Sequence, residues 1–295
     1  MTNPFSFLPS MIGSDQIRIQ KNGDIVDIYY PNLHPAEMNA HHYPLALFLQ
    51  GFEIDKSYYS QFATQVASSG FIVMVPNHQP AGRSYLAPEL EQIVDIFEEI
   101  KTGVNDLIFP FSQWIDLNKL VLLGHSCGGI TGIEAICNEI HINPITGYRY
   151  HRLPELAAGV FFGTNALPRQ DTSKPINNTS IPLGLIAGDL DTIIPPEVTQ
   201  QAYEKIETLP KAFMMVKGVN HYGITDVPQP LVGPVESQLS TLEQSQGIQT
   251  IANWTTLFLR AYLFKDMNSQ DVLSHPGKMD TEMVKVFLEH ILEIS

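Results

Sequence analysis

Short apolar runs alternate along the chain with longer stretches whose apolar residues recur every three or four positions. That alternation predicts strand–helix units stacked into a mostly parallel sheet, an α/β protein. Residues 25–30 read as an early strand, stopped by Pro31. Residues 45–49 are apolar at every position, as a strand buried on both faces requires. Tyr59, Phe62, Ala63 and Val66 then share one helical face, which Gly70 closes. Residues 71–75 form the next predicted strand, and Leu90, Ile93, Phe97 and Ile100 stripe the next helix. Residues 120–123 are a strand, followed by a helix lined by Ile130, Ile133, Cys137 and Ile140. Strands at 159–162, 183–187 and 213–216 continue the series. Two striped helices are expected to end it, one carrying Ile251, Trp254, Phe258 and Ala261, the other Met283, Val284, Phe287 and Ile291.

No repeat and no low-complexity tract interrupts this pattern, so one domain over 1–295 is expected. The irregular stretches near 141–156, 164–180 and 222–248 hold much of the Pro, Asn, Ser and Gln. Loops of that length inside a compact α/β pattern are expected to serve as lids or pocket walls.

Charge narrows the range of functions. The 295 residues include 17 Lys+Arg against 31 Asp+Glu, a net charge of −14. A basic face for nucleic acid is not expected, nor is electrostatic docking on an anionic membrane. No apolar run approaches the ~18 residues of a membrane-spanning helix. The segment 1–14 lacks a basic region followed by an apolar core, so no signal peptide is expected. The two cysteines, Cys127 and Cys137, would stand about 15 Å apart on one helix, beyond disulfide reach. Free thiols without an export signal point to a cytoplasmic location. The sequons at Asn177 and Asn253 then read as chance matches. No glycine-rich nucleotide loop is present, and the pair His41-His42 lacks partners at a metal-ligand spacing, so neither metal nor cofactor is expected.

The strongest chemical signal is Gly124-His125-Ser126-Cys127-Gly128, with Gly129 behind it. It fits G-x-S-x-G and lies between a predicted strand and a predicted helix, the setting of a nucleophile elbow. Such a turn strains the serine and tolerates only small neighbours, which gives Gly124 and Gly128 a steric reason to be there. Ser126 would project from the carboxyl end of the sheet. A serine hydroxyl needs a base to activate it and a third group to orient that base. In this architecture the order along the chain is Ser, acid, His. Asp189 and Asp191 compete for the acid after the strand at 183–187. Asp191 is favoured because it opens a turn ending in Pro195, whereas Asp189 is expected to bond loop backbone. His221 follows the strand at 213–216 and is the candidate base. The amides of Cys127 and Phe52 are the candidate oxyanion donors, with Gly51 letting the chain turn.

These motifs resemble the α/β-hydrolase superfamily. One block, Leu45-Ala46-Leu47-Phe48-Leu49-Gln50-Gly51-Phe52 with Tyr58-Tyr59-Ser60-Gln61 and Val66-Ala67-Ser68-Ser69-Gly70-Phe71-Ile72-Val73, is similar to the chlorophyllases. The elbow, Gly-His-Ser-x-Gly-Gly, is shared with them. The chain also resembles, in part, platelet-activating-factor acetylhydrolases and cutinase-like polyester hydrolases. Cys127 stands where plant chlorophyllases carry Arg, which leaves an amide in place. Gln50 stands where they carry His, which changes a side chain beside the oxyanion loop. The resemblance implies a serine esterase acting on a hydrophobic ester, with chlorophyll as substrate, water as co-substrate, and chlorophyllide and phytol as products. It also implies transient contact with a pigment-bearing membrane. Two alternatives stand beside it: a lipase or esterase for acyl lipids or short-chain esters, and a non-catalytic binding protein on the same fold.

Overall fold

The computed structural model describes residues 11–31, 42–105, 111–112, 114–137, 140–143, 146–165, 175–274 and 284–289. Met283 and Ile291, His41, and the 166–174 portion of the loop expected at 164–180 lie outside them.

Apolar runs of five to seven residues become adjacent parallel strands because both of their faces can be buried. β3 (Tyr43–Leu49) runs parallel to β4 (Ile72–Asn77) on one side and to β5 (Ile115–His125) on the other. β8 (Leu156–Phe162), β9 (Leu183–Gly188) and β10 (Lys211–Val216) extend the sheet beyond β5, all parallel. At the other edge β2 (Ile25–Pro31) and β1 (Ile12–Arg18) add antiparallel strands. β11 (Val284–Glu289) closes the far edge antiparallel to β10. The order is β1-β2-β4-β3-β5-β8-β9-β10-β11.

Period-two alternation divides the core between the two faces. Ala46, Phe48, Val73, Val75, Val121 and Leu123 point to one side, where α1 (Ser60–Ser68), α5 (Gln244–Leu263) and α6 (Met267–Ser274) cover them with Phe62, Val66, Trp254, Phe258 and Leu273. Leu45, Leu47, Leu49, Ile72, Met74, Leu120 and Leu122 point to the other. There α2 (Leu90–Asn105), α3 (Cys127–Cys137) and α4 (Pro196–Lys205) supply Ile93, Ile96, Phe97, Ile133, Ile136 and Ala202. The crossovers through α1, α2, α3 and α4 therefore each bury apolar helix residues against an apolar strand face.

Three expectations are corrected. The helix predicted through Met283, Val284, Phe287 and Ile291 is a strand over its described part, β11. Short apolar segments satisfy either period, and here the unpaired edge of β10 decides the outcome by taking a partner. Ile140 does not continue α3; it opens β6 (Ile140–Ile142), which pairs with β7 (Arg149–His151) in a small hairpin inside the stretch read as a loop. The irregular stretch read to 248 ends at 243, where α5 begins. Among the described residues no helix is long and apolar enough to cross a membrane.

Candidate active site

Ser126 occupies the one-residue gap between β5 and α3. Its φ is +55°, in the left-handed region that non-glycine residues enter at a cost of roughly 1–3 kcal/mol. The strain is held by the surroundings. The Ser126 N–H donates to Phe162 O at the end of β8 (2.9 Å), and the Ser126 carbonyl accepts from Gly129 N (3.0 Å) and from Thr164 Oγ1 (3.0 Å). Gly124 and Gly128 are the close neighbours that the sequence suggested. A Cβ on Gly124 would meet the main chain of Gly128 at 2.8 Å, and one on Gly128 would overlap the main chain of Leu49 and Gln50. Ser126 and Cys127 are half-buried. Both cysteines are free, and burial pushes the Cys137 thiol up to about 12.

Asp191 and His221 come together. The loop after β9 carries Asp191, 3% exposed, and the loop after β10 carries His221, 1% exposed. His221 Nδ1 lies 2.7 Å from Asp191 Oδ2. The other carboxylate oxygen, Oδ1, accepts the N–H groups of Ile193 (3.0 Å) and Ile194 (2.7 Å), which fixes the plane of the carboxylate. Asp189 points elsewhere: its Oδ1 accepts the Gly218 N–H at 2.6 Å and ties the two loops at their base. Gly163, at the end of β8, lets the pair approach the elbow; a Cβ there would sit 3.1 Å from Asp191 Oδ2 and 3.2 Å from His221 Nδ1.

Phe52 follows the tight turn at Gly51. The residue is 40% exposed and its ring leans on Tyr85, with 5.3 Å between centroids, so it is not a core aromatic. No acceptor among the described residues takes the Phe52 N–H. The turn that presents it is pinned by Glu53 N to Leu86 O (2.9 Å) and by Gly51 N to Tyr59 Oη (2.9 Å).

The residues that join these parts left little trace in the local sequence pattern. Tyr59, buried and read from the sequence as part of a helical stripe and of the block resembling the chlorophyllases, accepts from Gly51 and lies 3.0 Å from His125 Nδ1. His125, the buried last residue of β5, places Nε2 3.0 Å from the His221 carbonyl. Because a carbonyl only accepts, Nε2 carries the proton and Nδ1 accepts from Tyr59. Burial, reinforced by the nearby His221, holds His125 well below the ordinary histidine value and so neutral. This buried chain connects the turn at Gly51, the elbow and the loop that carries His221. The only local hint was a polar residue inside the elbow motif. Glu236, in the irregular segment after β10, bonds Thr192 and the His221 N–H, and nothing in its neighbourhood singled it out. Among the described residues no group of three or more His, Cys, Asp or Glu is placed to hold a metal ion.

The sheet order, the helices on both faces and a strained serine between a central strand and its helix define an α/β-hydrolase fold. The comparisons refine that class. A family model described as Chlorophyllase matches residues 10–140, just under half of the chain. Chlorophyllase-2 of Arabidopsis thaliana is 32% identical over 89 residues, 30% of this chain and 28% of that relative. The chain is thus a chlorophyllase-like α/β-hydrolase that aligns with only about 28% of the relative's length. The matched region holds Phe52, Gly124, Ser126, Cys127 and Gly128; Asp191 and His221 lie beyond it.

Proposed function

We propose that this chain is a serine carboxylic-ester hydrolase with chlorophyll as its ester, cleaved to chlorophyllide and phytol. The observation that carries the chemistry is the buried 2.7 Å contact between His221 Nδ1 and Asp191 Oδ2, adjacent to the elbow. With Nδ1–H directed at the carboxylate, Nε2 is left unprotonated to serve as the base. Ser126 Oγ forms the bond to the ester carbonyl carbon as Nε2 takes its proton. The carbonyl oxygen becomes an oxyanion facing the N–H groups of Phe52 and Cys127. The intermediate collapses, the C–O bond to the alcohol breaks, and the alcohol leaves with the proton from His221. Water then adds to the acyl-enzyme by the same path, releasing the acid and restoring Ser126.

Two observations support a hydrophobic ester. The family match and the relative's name point to chlorophyll. Phe52, Leu231, Val232, Val235 and Leu239 are exposed on the two loops next to the site, and the Gly233 backbone sits against the Phe52 carbonyl and Ile54. A cytoplasmic enzyme touching a pigment-bearing membrane transiently would fit that exposure.

The test is to incubate purified protein with chlorophyll a and, in parallel, with a short p-nitrophenyl ester, each beside Ser126→Ala. Chlorophyllide that forms only with Ser126 intact is the expected result, and the variant should lose on the order of 10⁶ in turnover. Cleavage of the short ester alone keeps the serine chemistry and removes chlorophyll. Turnover surviving in Ser126→Ala at more than a tenth of the original overturns the mechanism.

A further inference from the structure

We propose that Glu236 is a positioning residue, whose carboxylate holds the acid-bearing and base-bearing loops in one arrangement. The inference rests on the serine-hydrolase reading above and concerns the same site. Glu236 lies in the irregular segment between β10 and α5, on the stretch that exposes Leu231, Val232, Val235 and Leu239, yet its own side chain is turned inward and is nearly buried. Oε2 accepts the N–H of Thr192 (3.2 Å) and the N–H of His221 (3.2 Å). Oε1 accepts the Thr192 hydroxyl and the Gln238 N–H (3.1 Å). Thr192 directly follows Asp191. One carboxylate therefore spans the two loops at the residues that matter, on a path separate from the Asp191–His221 bond.

The backbone of His221 is gripped from both sides. Its N–H goes to Glu236, and its carbonyl takes the proton of His125 Nε2. With the ring held by Asp191, the imidazole has little freedom to swing. Burial by itself would raise the Glu236 carboxyl; the donors from Thr192, Gln238 and His221 outweigh it and hold the group below the ordinary carboxylate value, so it stays an anion. Charge and shape both matter here. Glutamine offers a single acceptor oxygen, and its amide nitrogen would face the N–H groups of Thr192 and His221 in one orientation and the Gln238 N–H with the Thr192 hydroxyl in the other. The remaining contacts of the segment fit a tether: Asn220 Nδ2 donates to Gln238 O (2.7 Å), Asn220 N to Ser240 Oγ (3.0 Å), and Tyr222 Oη to Pro234 O (2.5 Å).

The experiment measures short-ester kinetics on Glu236→Gln and Thr192→Val, with active sites counted by an organophosphonate that titrates Ser126 and with urea midpoints recorded alongside. Glu236→Gln should lower kcat per titrated site about ten-fold or more while KM stays within about two-fold, because the base is misplaced and the pocket is not. Glu236→Asp, which keeps the charge, should recover part of that loss. Thr192→Val, which removes one donor with little change in shape, should lower kcat per titrated site about three-fold and serves as the deciding variant if Glu236→Gln does not fold. A purely structural Glu236 would shift the urea midpoint and leave kcat per titrated site unchanged, and that result overturns the inference alone. If the unaltered protein shows no Ser126-dependent turnover, the hydrolase reading falls first and this inference with it.

Discussion

Replacing Gly128 with alanine tests whether the elbow and the oxyanion turn are as tightly joined as the geometry implies. An added Cβ would lie 2.5 Å from the Leu49 carbonyl carbon and 2.7 Å from Gln50 O, and closer still to Leu49 O. Ordinary contacts of this kind begin near 3.4 Å, so something must yield by roughly 1 Å. Leu49 cannot easily be the part that moves, since it pairs with Gly124 in the sheet and its side chain is fully buried. The displacement then falls on the first turn of α3 or on Gln50 and Gly51, and each of these leads directly into a proposed oxyanion amide. A misplacement of about 1 Å is enough to cost roughly 100-fold in rate, while the overpacking itself costs about 1–3 kcal/mol of stability. Gly124→Ala is the internal comparison: its Cβ would meet Gly128 main chain at 2.8 Å, a milder overlap. The assay is short-ester turnover and the rate of Ser126 phosphonylation for both variants, with urea midpoints. Gly128→Ala should lose about 100-fold in turnover and remain folded, with Gly124→Ala less affected. A Gly128→Ala protein within about three-fold of the original, or Gly124→Ala emerging as the worse of the two, would refute the argument.

Other consequences are open to measurement. Asp191→Asn should cut ester turnover by about 10⁴, whereas Asp189→Asn, which disturbs only the Gly218 contact, should leave most of it; the reverse order would move the acid to Asp189. Tyr59→Phe leaves the Gly51 N–H and His125 Nδ1 without their shared partner in a buried place, so urea unfolding should show a loss of about 1–3 kcal/mol; an unchanged midpoint contradicts the buried chain. The third concerns pH. Burial opposes the charge on His78, but Asp24, 3.0 Å from Nδ1, and Glu89 outweigh it and raise His78 above the ordinary value of 6.5. A group raised in the folded state stabilises fully below its unfolded value and loses that contribution as pH rises through the folded one. Urea midpoints should therefore fall on the alkaline side of 6.5, and His78→Gln should flatten that limb; an identical slope in the variant would exclude His78 as its source.

What the sequence discloses and what it conceals follow from the range over which each feature is decided. Strands β3, β4 and β5 were legible because a strand buried on both faces is apolar at nearly every position, whatever the remaining chain does. The elbow was legible for a similar reason: the close approach of Gly124 to Gly128 spans four residues, so the constraint is written locally. The turn that sets Asp191 apart from Asp189 was also local, since the amides of Ile193 and Ile194 that fix its carboxylate lie two and three residues on. β11 was misread because Met283, Val284, Phe287 and Ile291 fit a helical stripe while Val284, Lys285 and Val286 fit a strand, and the deciding fact is the open edge of β10, about 70 residues earlier. His125 and Glu236 lay beyond reach for the same reason. The first meets Tyr59 across 66 residues and His221 across 96; the second collects donors from 15 and 44 residues away. Periodicity reports whether a side chain is buried, but a polar side chain's role depends on which donors and acceptors the fold delivers to it. Around this serine the candidate residues were therefore readable from their turns, while the side chains that contact them became visible only once the loops had been brought together.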